Sequence, residues 1–330
     1  VRAAQMVAPG RLETVEVPIP EPGEGEVLVR THRASICGSD LHVVFDGFYA
    51  GEYPAPPGFP GHEGVGVVER SRSAGFAPGD AVLVAPVPHA AGCFAEWQVV
   101  SERSLVTLPP GGDLDRLLMA QQLGTTIYAM RRFWPSTMGS GEGRSVAICG
   151  AGSAGLFFTQ LARRAGFSSV LIADKAPSRV ALAAAFTVDA AVDVAQTPFV
   201  DAVAEMTGGV GADLVIEAAG YDETRIQCLR AVRPQGRIGH FGFPERPSGP
   251  TPWDFAEAWA KQPSIEHNHS TQLEPGLTAF REAVDLIHSG AVDVTPFLEP
   301  VYRLEDTQHA LEAARDQRGG KVTVDLSGGV

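Results

Sequence analysis

Ser145-Val146-Ala147-Ile148-Cys149-Gly150-Ala151-Gly152-Ser153-Ala154-Gly155 is the stretch that decides how this 330-residue chain is read. Its first five residues have the unbroken apolar character of a buried parallel strand. Gly150 to Gly155 then spell G-x-G-x-x-G, and a helix is expected over 153–165. Glycines at that spacing permit a tight turn and close backbone approach, and the N-H groups of Ser153, Ala154 and their neighbours suit a pyrophosphate. A second strand, 169–173, ends in Asp174, about 20 residues on, where a carboxylate accepts both ribose hydroxyls. A lone glycine fingerprint is weak and can be a tight turn in any α/β protein; strand, helix and acid together indicate a dinucleotide. Asp174 repels a 2′-phosphate, so NAD is expected ahead of NADP, with Lys175 and Arg179 the nearby cations that temper the preference.

Outward from this stretch the alternation continues. A helix is expected over 178–186, with strands over 213–216 and 237–241. Strands alternating with helices at this pitch mean a doubly wound parallel sheet. The first third differs: runs 26–30, 64–68 and 81–84 are separated by turns such as Ala77-Pro78-Gly79-Asp80, which suits an antiparallel barrel or sandwich. A helical segment over 117–130 joins the two regions. After them come a helix over 276–289, with Leu277, Phe280, Val284 and Ile287 on one face and a stop at Gly290, and a last strand over 320–326.

Composition narrows the function. A formal net charge of −13 and no Lys/Arg cluster argue against nucleic acid. No run approaches a membrane span, and Val1-Arg2-Ala3-Ala4 lacks a signal peptide's apolar region. Cys37, Cys93, Cys149 and Cys228 are scattered without CxxC pairing, so a reducing cytoplasm is the expected compartment and no disulfide scaffold is anticipated.

Two further runs carry chemistry, Cys37-Gly38-Ser39-Asp40-Leu41-His42 and Gly61-His62-Glu63-Gly64. Thiolate, imidazole and carboxylate are the donors that zinc selects, and a catalytic site needs three of them with one position open. Taken singly, Cys37 reads as a small buried hydrophobe and His62 as a hydrogen-bonded loop histidine. Their neighbours shift that balance: Ser39 offers a hydroxyl to a substrate alcohol, Asp40 can orient an imidazole, and His42 can pass a proton outward. His267-Asn268-His269 is a polar run expected at the end of a sixth strand, equally readable as a substrate contact or as a solvated strand end. Phe45, Phe48, Tyr49 and Trp97 read as cleft walls or as packing.

These two runs, the Pro78-Gly79-Asp80 turn, Phe94-Ala95-Glu96-Trp97, the fingerprint, Ile216-Glu217-Ala218-Ala219-Gly220 and Gly320-Lys321-Val322 occur in one order along the whole chain. Together they resemble the zinc-containing medium-chain dehydrogenases, a family that includes alcohol, polyol, threonine and glucose dehydrogenases. The resemblance implies a β-rich GroES-like catalytic domain (1–121 and 270–330) and a Rossmann domain (122–269). It implies Cys37 and His62 as zinc ligands, Glu63 as an alternating ligand or supporting carboxylate, Ser39 as proton acceptor and His42 as relay. Where the polyol branch places a ligating glutamate, this chain has Gln121, so the implied metal set is Cys37, His62, Glu63 and Gln121.

Two departures matter. Gly38 stands where some alcohol dehydrogenases carry a phosphate-binding arginine. The lobe of four closely spaced cysteines that holds a structural zinc in most members is missing, since only Cys93 lies between Asp80 and Phe94. One catalytic zinc and no structural zinc are therefore expected. The implied activity is hydride transfer between NAD and a secondary alcohol or ketone of a polyol, sugar or cyclitol, in a homodimer or homotetramer. A zinc-free NADPH-dependent quinone, enoyl or carbonyl reductase is the rival, and a non-catalytic nucleotide-binding protein the alternative from another class.

Overall fold

The computed structural model describes residues 1–48, 51–87, 90, 92–269, 271–316 and 320–328, so Tyr49 lies outside the described residues. The chain divides into two units, Val1–Gly124 with Ser270–Val330, and Thr125–His269. Along the chain come β1 (Arg2–Ala8), β2 (Arg11–Glu16), β3 (Glu26–Ser35), α1 (Gly38–Phe45), β4 (Glu63–Ser71), β5 (Ala81–Val84), β6 (Trp97–Ser101) and β7 (Leu105–Thr107). Helices α2 (Leu114–Leu117) and α3 (Ala120–Phe133) carry the chain into the second unit. There β8 (Ser145–Cys149), α4 (Ser153–Arg164), β9 (Ser169–Asp174), α5 (Pro177–Ala183), β10 (Ala190–Asp193), α6 (Phe199–Met206) and β11 (Ala212–Glu217) alternate. They continue into α7 (Asp222–Ala231), β12 (Val232–His240), α8 (Phe255–Lys261) and β13 (Ser264–His267). The first unit is completed by α9 (Thr278–His288), β14 (Val301–Arg303), α10 (Thr307–Arg315) and β15 (Thr323–Asp325).

In the second unit six parallel strands lie in the order β10-β9-β8-β11-β12-β13. Strand order reverses between β8 and β11, which places a ligand crevice outside their carboxyl ends. β8 and β11 are apolar on both faces because both faces are covered; Val146, Ala147, Ile148, Leu214, Val215 and Ile216 are all fully buried. α4 buries Leu156, Phe157 and Phe158 completely, each contributing roughly 1.5–3 kcal/mol relative to exposure. Register aligns Cys149, Glu217, His240 and His267 across four adjacent strands, so their side chains share one face at the carboxyl end.

In the first unit β14-β15-β3-β4-β5-β7 form one sheet, with β6 also on β3. One edge of β3 pairs with β4, while the other is shared by β6 along Glu26–Arg30 and by β15 along Arg33–Ser35. The sheet is antiparallel as the turn-separated runs suggest, except for the parallel β14–β15 pair, whose connection runs through α10. Ser35 on β3 pairs with Glu63 on β4. That register brings the two residues after Ser35 and the one before Glu63 to the same end of the sheet, and so joins Cys37 to His62. Among the described residues no helix is long and apolar enough to cross a membrane.

Candidate functional site

Cys37 is the N-cap of α1, so Ser39, Asp40 and His42 ride on the first turns of a helix. Asp40 is fully buried and its Oδ2 accepts the Cys37 backbone N-H at 2.8 Å, closing the helix start. The other oxygen, Oδ1, lies 2.8 Å from His62 Nδ1. One carboxylate thus holds the backbone of the thiol residue and lies against the imidazole, whose Nδ1 also reaches the Pro60 carbonyl at 3.2 Å. Donor atoms of Cys37, His62 and Glu63 all lie within 4.8 Å of one another, the one such cluster among the described residues. Ser39 Oγ is 3.5 Å from His62 Nε2, which puts the hydroxyl beside the same point.

A sulfur, an imidazole nitrogen and a carboxylate oxygen converging in this way fit zinc. Burial opposes a charge on His62, yet Asp40 and the Cys37 sulfur raise the imidazole's pKa well above its usual value. A ligand imidazole must be neutral, so metal binding here releases a proton. Glu63 is more deeply engaged than its position in sequence suggests. Burial alone would lift its pKa; Lys321 Nζ at 2.7 Å, His62 and the Ser35 hydroxyl reverse this and hold the carboxylate below its ordinary range. Gln121 is buried against the cluster, its amide donating to the His62 carbonyl at 3.4 Å.

Lys321 is the functional neighbour that sequence reading passed over. It sits in the closing Gly-Lys-Val run, is 4% exposed, and a lysine so deep must be paired. His42 lies farther along α1 with Nδ1 2.7 Å from Asp46 Oδ2 and its ring 5.2 Å from Phe48. Phe45 packs under Arg315, and Trp97 is half-buried on β6. Cys93 is held by Gln98 (3.6 Å) and its pKa is pushed up to about 12 by burial, which makes it an inert packing residue. Cys149 and Cys228 are both buried in the second unit's core.

The dinucleotide fingerprint folds as a turn between β8 and α4, with Gly152 capping the helix. Gly150 has φ +110°, and a Cβ there would stand 2.9 Å from the Ala218 carbonyl carbon and the Ala219 nitrogen. Only glycine fits both the angle and the approach. Asp174, at the end of β9, turns into this loop: Oδ2 accepts Ala151 N-H at 2.7 Å and Oδ1 accepts Ala176 N-H at 2.9 Å. Arg179 Nη1 is 3.8 Å from Asp174, and its guanidinium lies over Gly152. Lys175 reaches instead to the Tyr221 ring, 4.8 Å from its centroid. The start of α4, Asp174 and Arg179 form a cradle of backbone amides, one acid and one cation that fits a dinucleotide.

His267 ends the sixth strand as expected, and its ring meets that of His240 at 4.9 Å. His240 is buried, and desolvation, aided by His267 and Arg225, lowers its pKa to about 4. The unfolded chain therefore binds more protons between about pH 6.5 and 4, and stability is full above 6.5 and lost as pH falls through that window. Between pH 7 and pH 5 this single group is expected to remove about 2 kcal/mol. Urea unfolding at both pH values checks this: His240→Phe should lose that much less than the parent, and an equal loss in both would refute it.

Two family models match the chain: "Alcohol dehydrogenase GroES-like domain" over residues 23–110 and "Zinc-binding dehydrogenase" over 154–289. An alcohol dehydrogenase of Cupriavidus necator is 28% identical, covering 98% of each chain. An L-threonine 3-dehydrogenase of Saccharopolyspora erythraea is 30% identical, covering 96% of each. Among solved structures, the alcohol dehydrogenase TADH from Thermus sp. ATN1 superimposes with a TM-score of 0.83 at 26% identity, over 98% of this chain and 99% of that one. Two domain models in the expected order and relatives matched from end to end place the chain in the zinc-containing medium-chain dehydrogenases, a family of oxidoreductases.

Proposed function

We propose that this oxidoreductase is a zinc- and NAD-dependent dehydrogenase of a secondary alcohol on a polyol, sugar or cyclitol, working as a homodimer or homotetramer. The observation that carries the reading is the convergence of Cys37, His62 and Glu63, with Asp40 orienting His62. Cys37 and His62 are the proposed constant ligands, with Glu63 as the third or alternating one and Gln121 as a further donor. Glu63, neutralised by Lys321 and hydrogen-bonded by Ser35, is the adjacent carboxylate that holds the negative charge in place. Gln121 stands at the edge of the cluster as a neutral donor.

When bound, zinc supplies a Lewis acid that lowers a hydroxyl's pKa, and the dinucleotide supplies the hydride acceptor. Ser39 Oγ, 3.5 Å from His62 Nε2 and so beside the cluster, would accept the substrate hydroxyl's proton while giving up its own toward the His42 relay. His42, whose Nδ1 lies 2.7 Å from Asp46 Oδ2, is the proposed relay that passes a proton outward. Gly152, Ser153, Ala154 and Gly155 offer backbone N-H groups to the pyrophosphate, while Gly150, whose own N-H is taken by the Ala173 carbonyl at 2.8 Å, shapes the turn. Asp174 addresses the ribose, flanked by Lys175 and Arg179. Similarity to an alcohol and a threonine dehydrogenase supports an alcohol substrate.

Metal analysis of the purified protein, combined with a panel of secondary alcohols offered with NAD and with NADP, tests the reading. Expected are about one zinc per chain and faster reduction of NAD than of NADP. Metal-free protein that still reduces carbonyls or enones with NADPH would establish the zinc-free reductase instead. Dinucleotide binding with no turnover on any alcohol would make the chain a binding protein.

A further inference from the structure

Glu217 ends β11 with its side chain wholly out of solvent. Its Oε1 accepts three hydrogen bonds: from Ala219 N-H at 2.9 Å, Gly220 N-H at 2.7 Å and the Thr224 hydroxyl at 2.7 Å. Its Oε2 is buried with no hydrogen-bond partner among the described residues. The carbonyl of the same residue accepts Phe241 N-H and Gly242 N-H, at 2.8 and 3.0 Å. One residue thus gathers the loops after β11 and β12. The first of these loops is the one that presses on the fingerprint, because the Ala218–Ala219 peptide occupies the space a Gly150 side chain would need. Ala218 N-H also donates to the Cys149 carbonyl at 2.8 Å, fastening the loop to the strand that leads into the turn.

A half-satisfied carboxyl in a dry interior is costly, and a loop with no task beyond chain reversal would be closed more cheaply by an apolar side chain. Burial raises the Glu217 pKa, an effect that Thr224, the Gly220 amide and Arg225 only partly offset. Glutamine can imitate the Oε1 contacts, because the amide keeps the accepting oxygen.

We propose that Glu217 is a positioning residue for the dinucleotide, holding the 218–220 loop against Gly150 so that the pyrophosphate turn keeps its shape. This rests on the reading of Thr125–His269 as the dinucleotide-binding unit.

The test is NADH titration by fluorescence on the full chain, alongside kcat, the alcohol KM and zinc content, for Glu217→Ala, Glu217→Gln and Thr224→Val. Glu217→Ala is expected to weaken NADH binding about tenfold, since three accepted hydrogen bonds are released at the turn. At saturating NAD its kcat and alcohol KM should stay within about twofold of the parent, with zinc unchanged. Glu217→Gln should recover affinity to within about threefold, and Thr224→Val should lose about threefold by removing one donor. If Glu217→Ala fails to fold, the other two variants decide the matter. Parent-like NADH affinity in Thr224→Val together with Glu217→Ala, or in Thr224→Val alone where Glu217→Ala is insoluble, overturns the proposal. So does a loss spread equally over kcat, alcohol KM and zinc, or a Glu217→Gln variant as weak as the alanine one. A parent protein that binds neither NADH nor NADPH overturns the dinucleotide reading and this role with it.

Discussion

Cys37→Ser is expected to empty the metal site and cut turnover about a thousandfold, the equivalent of about 4 kcal/mol of lost charge stabilisation. Serine keeps the size and the N-cap position at the start of α1, and serine is a good N-cap, so the fold is not threatened. A neutral hydroxyl does not replace a thiolate as a zinc ligand at neutral pH. His62 would remain, still turned by Asp40, but the nearby Glu63 is already paired with Lys321 at 2.7 Å and cannot fully compensate. The Gly150–Gly155 turn is built from residues of the second unit alone, so NADH affinity should stay within about twofold. Elemental analysis, steady-state kinetics and an NADH titration on one preparation check all three parts. Undiminished turnover in a variant shown to lack zinc would remove the metal from the mechanism.

The parts of this molecule legible in its sequence are those with a repeating physical signal. An apolar run followed by spaced glycines and then a helical period gave β8, the turn and α4 to within a residue or two, and the same alternation indicated the parallel sheet. Short elements without a periodic face were not visible. α1 reads as a loop because its eight residues, Gly38–Phe45, begin with a glycine, a serine and an acid. Its helical state depends on Asp40 capping from inside and on burial of Val43 and Val44, which are tertiary facts. The site divides along the same line. Residue types named Cys37, His62 and Glu63 as donors, but what joins them is the Ser35–Glu63 register of β3 and β4, fixed by long-range pairing that no local pattern encodes. Lys321 escaped notice for that reason: its partner lies across the sheet, contributed by the far end of the chain.

Gly155→Ala should damage the second unit's fold and its dinucleotide site together, whereas Gly152→Ala should damage binding alone. A Cβ on Gly155 would stand well inside the van der Waals radius of the Gly150 carbonyl oxygen and against Ile172. Both neighbours are fixed, one as backbone of the turn and the other as a fully buried β9 side chain. α4 can then accept the methyl only by lifting its first turn off the sheet, at about 1–3 kcal/mol, with a fall in melting temperature of several degrees. The same displacement moves the amides that face the pyrophosphate, so NADH affinity should drop by about ten- to a hundredfold. At Gly152 the added methyl would meet only the mobile end of Arg179, 3.8 Å away, so the apo fold tolerates it and the melting temperature should hold. The loss there appears only when a phosphate must approach the backbone. Calorimetric melting with and without NADH separates the two variants: the first should melt early in both conditions, and the second should lose only the ligand-induced rise. Equal melting and equal affinity in Gly155→Ala and the parent would mean that the close approach of α4 to the turn is not what shapes the site.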